Sequence, residues 1–281
     1  MNLLEQVMLG WECARSALGV AVKPAIWPPW LLLGLARIAA IVILAYCAHP
    51  LVSWLAAPLV SWLAGSGAIH YPVLFRLLPR LVDRVVLPLD VAIGGWAAGV
   101  ASLQTVALSG GTTRRLDDAM KQSLARLPML VVAQLPVLAL GWLLTDGVGM
   151  WLESRGSGGL VVKAVTLLAS VSLGLVRVWF CWLPVMVVAD GRGVLDSWRE
   201  LRRFGGRGYG TALVVGLLML VPPAPFALAL RAPGRWIDIG HPEWVTALLG
   251  AERIVTLLTT LLATIALALA WRALEEDPWA G

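Results

Sequence analysis

Trp30-Leu-Leu-Leu-Gly-Leu-Ala-Arg-Ile-Ala-Ala-Ile-Val-Ile-Leu-Ala-Tyr-Cys47 is apolar throughout except for one charged side chain, Arg37. As an α-helix this run rises about 27 Å, close to the hydrocarbon thickness of a bilayer. The rest of the chain has the same character. Of its 281 residues 59% are hydrophobic and 14% charged, with a mean hydropathy of +0.81, whereas a soluble domain has about a quarter charged residues. Six membrane helices of about 20 to 25 residues would occupy roughly half the chain and leave short connections. The predicted class is therefore all-α, a polytopic membrane bundle in one domain, without room for a soluble enzyme domain.

Five further spans are predicted near 85–108, 127–144, 160–189, 208–230 and 245–271, with the first at 30–47. Ahead of them, Leu4, Val7, Met8, Trp11 and Leu18 recur at helical spacing while Glu5, Glu12 and Ser16 fall elsewhere. This predicts an amphipathic helix within 1–24, too polar to span and lying along the membrane surface. Pro28 and Pro29 then mark a break. The near-duplication Pro50-Leu-Val-Ser-Trp-Leu-Ala-Ala57 and Pro58-Leu-Val-Ser-Trp-Leu-Ala-Gly65 reads as an interfacial or re-entrant hairpin, because its prolines interrupt a regular helix. Pro222, Pro223 and Pro225 predict a kink in the fifth span. Glu5 and Glu12 replace a basic leader, so no cleaved signal peptide is expected. Trp27, Trp30, Trp151, Trp244 and Trp271 fall near span ends, the position of interfacial anchors.

Two polar connections, 109–126 and 190–207, read as elbows. The first carries Arg114, Arg115, Lys121 and Arg126, with Thr112 or Thr113 as the cap of a short helix. The second carries Arg192, Arg199, Arg202, Arg203 and Arg207. Arg76, Arg80, Arg84, Arg155, Arg231 and Arg235 fall on the other side. An even number of spans puts both termini on one side, and basic connections favour the cytoplasm. The expected location is the bacterial inner membrane with termini and elbows inside. Aligning Leu116-Asp117 with Leu195-Asp196 suggests two parallel span–elbow–span units. The net charge of +5 is spread over these loops, so anionic headgroups rather than nucleic acid are the expected partner. Arg114, Arg115, Arg199, Arg202, Arg203 and Arg207 are the headgroup candidates. In the second elbow Leu195, Trp198 and Leu201 share a predicted inward face, and docking of a cytoplasmic partner is the alternative to lipid anchoring. Gly205-Gly206-Arg207-Gly208-Tyr209-Gly210 lacks the strand and lysine of a phosphate loop and reads as a flexible hinge.

Polar groups inside spans are the candidates for function. Arg177 needs a counter-charge, with Asp90 first and Glu252 next; Arg37 is expected to snorkel toward the headgroups. A buried pair fixing the helices and a substrate or headgroup site are both open. Thr256, Thr260 and Thr264 form a stripe that either packs helices or lines a path. His49, His70 and His241 are weak metal or haem candidates without short ligand spacing. Cys13, Cys47 and Cys181 form neither a CxxC pair nor a disulfide framework. No nucleophile has a base beside it in sequence, so the chain reads as non-enzymatic and without a cofactor.

Trp182-Leu-Pro-Val-Met-Val-Val-Ala-Asp-Gly-Arg-Gly-Val-Leu-Asp-Ser-Trp-Arg199, with the surface helix, the six-span plan and His70-Tyr71-Pro72 before Leu78-Pro79, resembles the membrane-domain family of bacterial glycerophosphodiester phosphodiesterases. In that family hydrolysis belongs to an attached soluble barrel, which has no counterpart in these residues. The resemblance implies a membrane module that supports or regulates something else and transfers no catalytic residue. Three function classes follow: an accessory subunit contacting other membrane proteins, a transporter of lipid or a small amphiphile, and a cofactor-bearing electron-transfer or pigment subunit. The topology has a direct check. Accessibility tags at the two ends are expected to report the same compartment, and opposite compartments would overturn the span count.

Overall fold

The computed structural model describes residues 2–143, 151, 165, 168 and 180–275. Among them the chain is all-α. Four helical runs are long and apolar enough to cross a membrane: Pro24–Ala45, Val73–Ser109, Leu116–Leu140 and Glu243–Glu275. A fifth candidate is the pair Gly208–Leu220 and Ala224–Leu230, bent by 52°. The predicted kink at Pro222 and Pro223 is thus present. The fourth expected span, 160–189, lies largely outside the described residues, and Arg177 with it.

The chain divides into two compact units, one of residues 1–22, 98–216 and 263–281, the other of residues 23–97 and 217–262. In the second unit, helix α2 (Trp27–Ala45) packs on α4 (Val73–Leu89), with α3 (Pro50–Ala64) beside both. Their core includes Ile41, Leu44, Leu78, Leu81 and Val86, joined by Leu230, Val245 and Leu249. Two expectations are corrected here. Pro28 and Pro29 do not break the chain but lie in the first turn of α2, where backbone N–H groups have no helical partner to lose. The duplicated segment is not a hairpin but one helix that starts at Pro50 and continues through Pro58. His49 caps it, its Nδ1 accepting from the Leu51 N–H at 3.3 Å.

The second span begins earlier than expected. Arg76, Arg80, Asp83 and Arg84 suggest a loop, yet α4 carries them at positions where Leu74, Leu78, Leu81 and Val82 take the buried side. Amphipathic spacing compensates for the charge. A π-helical turn, Asp90–Gly94, follows α4 and leads into α5 (Gly95–Ser109). Pro88, two residues ahead of it, removes a backbone donor near the point where the helix changes pitch.

In the first unit, α5 ends at Gly110-Gly111. Gly111 has φ +70°, its N–H reaches Leu108 O, and the Thr112 N–H reaches Ala107 O. This is a Schellman closure, which requires a left-handed residue. The elbows prove not to be separate helices. The first merges with the third span as α6 (Leu116–Trp142), whose cap position is Arg115 rather than a threonine; Thr112 Oγ1 instead donates to Ala107 O. Helix α7 (Leu183–Val188) ends the fourth expected span. The second elbow and the start of the fifth span form α8 (Val194–Leu220). Helices α9 (Ala224–Leu230), α10 (Pro233–Ile239) and α11 (Glu243–Glu275) complete the chain. Both elbow helices have 27 residues and an aspartate in the first turn, and a left-handed glycine, Gly111 or Gly191, shortly precedes each.

The glycine-rich stretch expected to hinge is continuous helix, and its role lies in packing against α1 (Leu3–Ala21). Gln6 is 4% exposed. Its Nε2 donates to Gly206 O at 3.0 Å, its Oε1 accepts from the Gly210 N–H at 2.9 Å, and Thr211 Oγ1 donates to Gln6 O at 2.8 Å. Gly206 O and Gly210 N–H are the groups that an α-helix joins to each other. One amide side chain engages both. A Cβ on Gly210 would lie 2.9 Å from Gln6 Cβ, and one on Gly10 3.0 Å from Thr211 O. Glycine is required for this approach. The protein-facing stripe of α1 is Gln6, Gly10, Cys13 and Ala17, while Leu4, Met8, Trp11 and Leu18 face outward. Replacing Gln6 by Ala removes two hydrogen bonds of about 1 kcal/mol each. Hydrogen exchange across residues 3–21 is expected to accelerate in Gln6→Ala and to exceed that in a Glu12→Ala control.

Candidate functional site

The second unit gathers charged side chains among its apolar helices. Arg37, one turn beyond Gly34 in α2, is 5% exposed, and its Nε donates to Asp90 Oδ1 at 2.7 Å. A second donor, Nη1, points to Arg253 O at 3.5 Å. Close packing at this level depends on Gly34, where a Cβ would approach Leu257 Cδ2 of α11 to 3.0 Å. Arg253 itself pairs with Asp83 through Nη2. Its Nε approaches Glu252 Oε2 at 2.9 Å as an ion pair without hydrogen-bond alignment. Glu252 Oε1 accepts from Thr256 Oγ1 at 3.1 Å. Two guanidinium groups thus face three carboxylates.

Asp90, the first candidate partner of Arg177, is held by Arg37. The expected snorkelling of Arg37 does not occur, because a carboxylate of the next span lies within hydrogen-bond reach and removes the need to find water. Glu252 is engaged by its own neighbours Arg253 and Thr256. Sequence reading missed Arg253 and Asp83: Arg253 adjoins Glu252 and Asp83 sits in what looked like a loop. The available signal was that both charges lie on helices with apolar opposite faces. Burial falls off across the group, from Arg37 at 5% exposure to Asp90 at 32% and Asp83 at 64%, and Asp90 opens the π-helical turn.

The threonine stripe is used locally. Thr260 Oγ1 donates to Thr256 O at 2.6 Å, and Thr259 Oγ1 reaches Val255 O and Thr256 O at 3.1 Å, which satisfies hydroxyls without water. Thr264 is buried. His49, His70 and His241 are exposed, and no metal-holding group of three His, Cys, Asp or Glu occurs among the described residues. Burial, with a smaller contribution from Glu12, pushes the Cys13 thiol up to about 11, so it is un-ionised at neutral pH and a poor nucleophile.

In the first unit the elbow arginines divide. Arg115 and Arg199 are exposed and pair with Asp117 and Asp196 at 3.8 and 3.3 Å, and Arg202 is exposed; the side chains of Arg203 and Arg207 lie outside the described ones. Arg192 instead bridges Asp190 Oδ2 and Glu200 Oε2, each at 3.1 Å. Arg126 Nη1 donates to Gly191 O at 2.8 Å. Trp271 Nε1 donates to Asp190 Oδ1 at 3.1 Å. Burial raises the Asp190 carboxyl above its ordinary range, opposed by Trp271 and Arg192. Trp30 and Trp271, expected as interfacial anchors, are core residues at 1% and 2% exposure. Trp151 and Trp244 are exposed as anchors require. On the second elbow Leu201 and Ser197 are buried, and Trp198 packs edge-on against Phe180. Leu195 is 72% exposed, because the helix turns it away from the Ser197–Leu201 side.

Breaking a buried ion pair by removing one partner costs about 3–5 kcal/mol. Arg37→Leu and Asp90→Leu are each expected to lower thermal stability in detergent by that order. The double variant is expected to recover most of the loss, measured by tryptophan fluorescence. No family model, curated protein or solved structure matches the chain.

Proposed function

We propose that the chain is a non-catalytic, multi-pass protein of the bacterial cytoplasmic membrane that acts as a structural or accessory subunit of a membrane protein complex. The observation that carries this reading is the internal pairing of the charges in the second unit. Arg37, Asp90, Arg253, Asp83 and Glu252 bind one another, so these groups fix helices instead of presenting a reactive centre. What the helices offer outward is apolar side chains, among them Leu31, Leu35 and Val42 of α2 and Val132 and Leu135 of α6. Such faces suit lipid and the helices of other membrane proteins. Exposed Arg115, Arg199 and Arg202 support contact of the elbows with anionic headgroups on the cytoplasmic side.

A second reading, a transporter of lipid or a small amphiphile, draws on the π-helical turn at Asp90 and the 52° bend between α8 and α9. Carriers use interrupted helices around their sites. Extraction from native membranes in mild detergent separates the two. The accessory role predicts a stoichiometric partner that survives size exclusion. A lone monomer that moves labelled amphiphile across proteoliposomes would establish the transporter in its place.

A further inference from the structure

We infer that the first unit contains a binding site for a phosphate ester anion, built between the turn after α5 and the last turn of α11. An open cavity of about 470 Å³ lies there. Arg114, Arg272, Thr112 and Thr113 form its polar end, and Leu103 and Val106 contribute an apolar wall. Two guanidinium groups converge on one cavity, and none of its described lining residues is acidic.

Each arginine is positioned by the fold. The left-handed Gly111 turns the chain out of α5, and Gln104 Nε2 then donates to Arg114 O at 3.2 Å, fastening the backbone at Arg114. Arg114 Nη2 donates to Gln122 Oε1, which orients the guanidinium. Arg272 closes α11 from the other side. A Cβ on Gly110 would lie 3.5 Å from Arg272 Nη1, so the side chain extends over the α5 turn. A guanidinium carries five N–H donors, so one that already holds a protein oxygen retains donors for a ligand. Of the nearby acids, Glu275 in the same last turn acts electrostatically on both Arg272 and Arg192. Asp190, next to the lining residue Ala189, serves Trp271 and Arg192, and Asp117 pairs with Arg115.

The ligand class follows from position and shape. Both arginines sit where helices long enough to span a membrane end, the depth at which headgroup phosphates lie. Forked donors match phosphate oxygens, and an apolar wall beside them suits the start of an acyl chain. The source is an anionic phospholipid or a free phosphate ester entering from water. This inference rests on the membrane reading, because the depth argument needs the helices to cross a bilayer.

The test uses the full chain in phosphatidylcholine nanodiscs doped with phosphatidylglycerol, with retained lipid counted by native mass spectrometry. Arg114→Gln and Arg272→Gln are each expected to reduce phosphatidylglycerol retention about tenfold, while Arg80→Gln, at an exposed arginine outside the elbows, leaves it unchanged. Arg114→Lys, which keeps the charge and loses the fork, is expected to fall between and covers the case in which the glutamine variant fails to fold. Displacement by inorganic phosphate identifies a site open to free phosphate; retention against it identifies the lipid. Equal loss in all three glutamine variants would reduce the site to diffuse surface charge and overturn the inference, as would unchanged retention in folded Arg114→Gln and Arg272→Gln. A chain that does not enter nanodiscs at all, or whose ends face opposite compartments, overturns the membrane reading instead.

Discussion

A guanidinium without water or a counter-charge is too costly to keep among apolar helices, and this constraint organises the second unit. Arg37 meets it with the Asp90 carboxylate at 2.7 Å and 5% residual exposure. Satisfying one arginine fixes the rotation of α2 and the depth of Asp90 at once. The neighbouring Gly34 lets α11 approach, and Arg253 then falls where its carbonyl reaches Arg37 and its side chain reaches Asp83 and Glu252. Such a network contributes specificity of helix placement more than net stability, since an apolar replacement of both partners in a buried pair is often neutral or better.

The first unit meets a different constraint, the close approach of backbones. Gly10 and Gly210 permit α1 and α8 to touch, and Gln6 occupies the gap with hydrogen bonds to the helical backbone itself. Gly99 does the same on α5, where a Cβ would fall 2.2 Å from Ser123 Oγ and 3.2 Å from Val188 Cγ2. Small residues at helix interfaces are how bundles pack when lipid is as apolar as the partner helix. Outward, α1 exposes Leu4, Met8, Trp11 and Leu18 beside Glu5, Glu12 and Arg15.

The two elbows show how one composition serves two ends. Arginines in a turn between apolar helices look alike in a sequence, yet Arg192 and Arg126 tie the α7–α8 turn together, Arg115 and Arg199 face outward, and Arg114 lines a cavity with Arg272. The proposed phosphate site lies at the meeting of two segments that are far apart in the chain. No local motif announces it.

Hydropathy was enough to read the all-α class, the apolar runs at 30–47 and 245–271, a helix within 1–24, the proline bend near 222 and the polar character of 109–126 and 190–207, because each depends on the pattern of apolar and polar residues in a contiguous segment. Local rules failed where neighbours supply what a segment lacks. Pro50 and Pro58 fit in one helix, the amphipathic α4 carries its arginines into a long span, and the glycine run at 205–210 is continuous helix with Gln6 lying against it. Pairing was beyond reach for the same reason: Arg37 and Asp90 are 53 positions apart, and only the packing of α2 against α4 brings them within a hydrogen bond. Composition fixes which solvent a helix prefers, whereas the partner of a charge depends on the rotation and depth of a second helix.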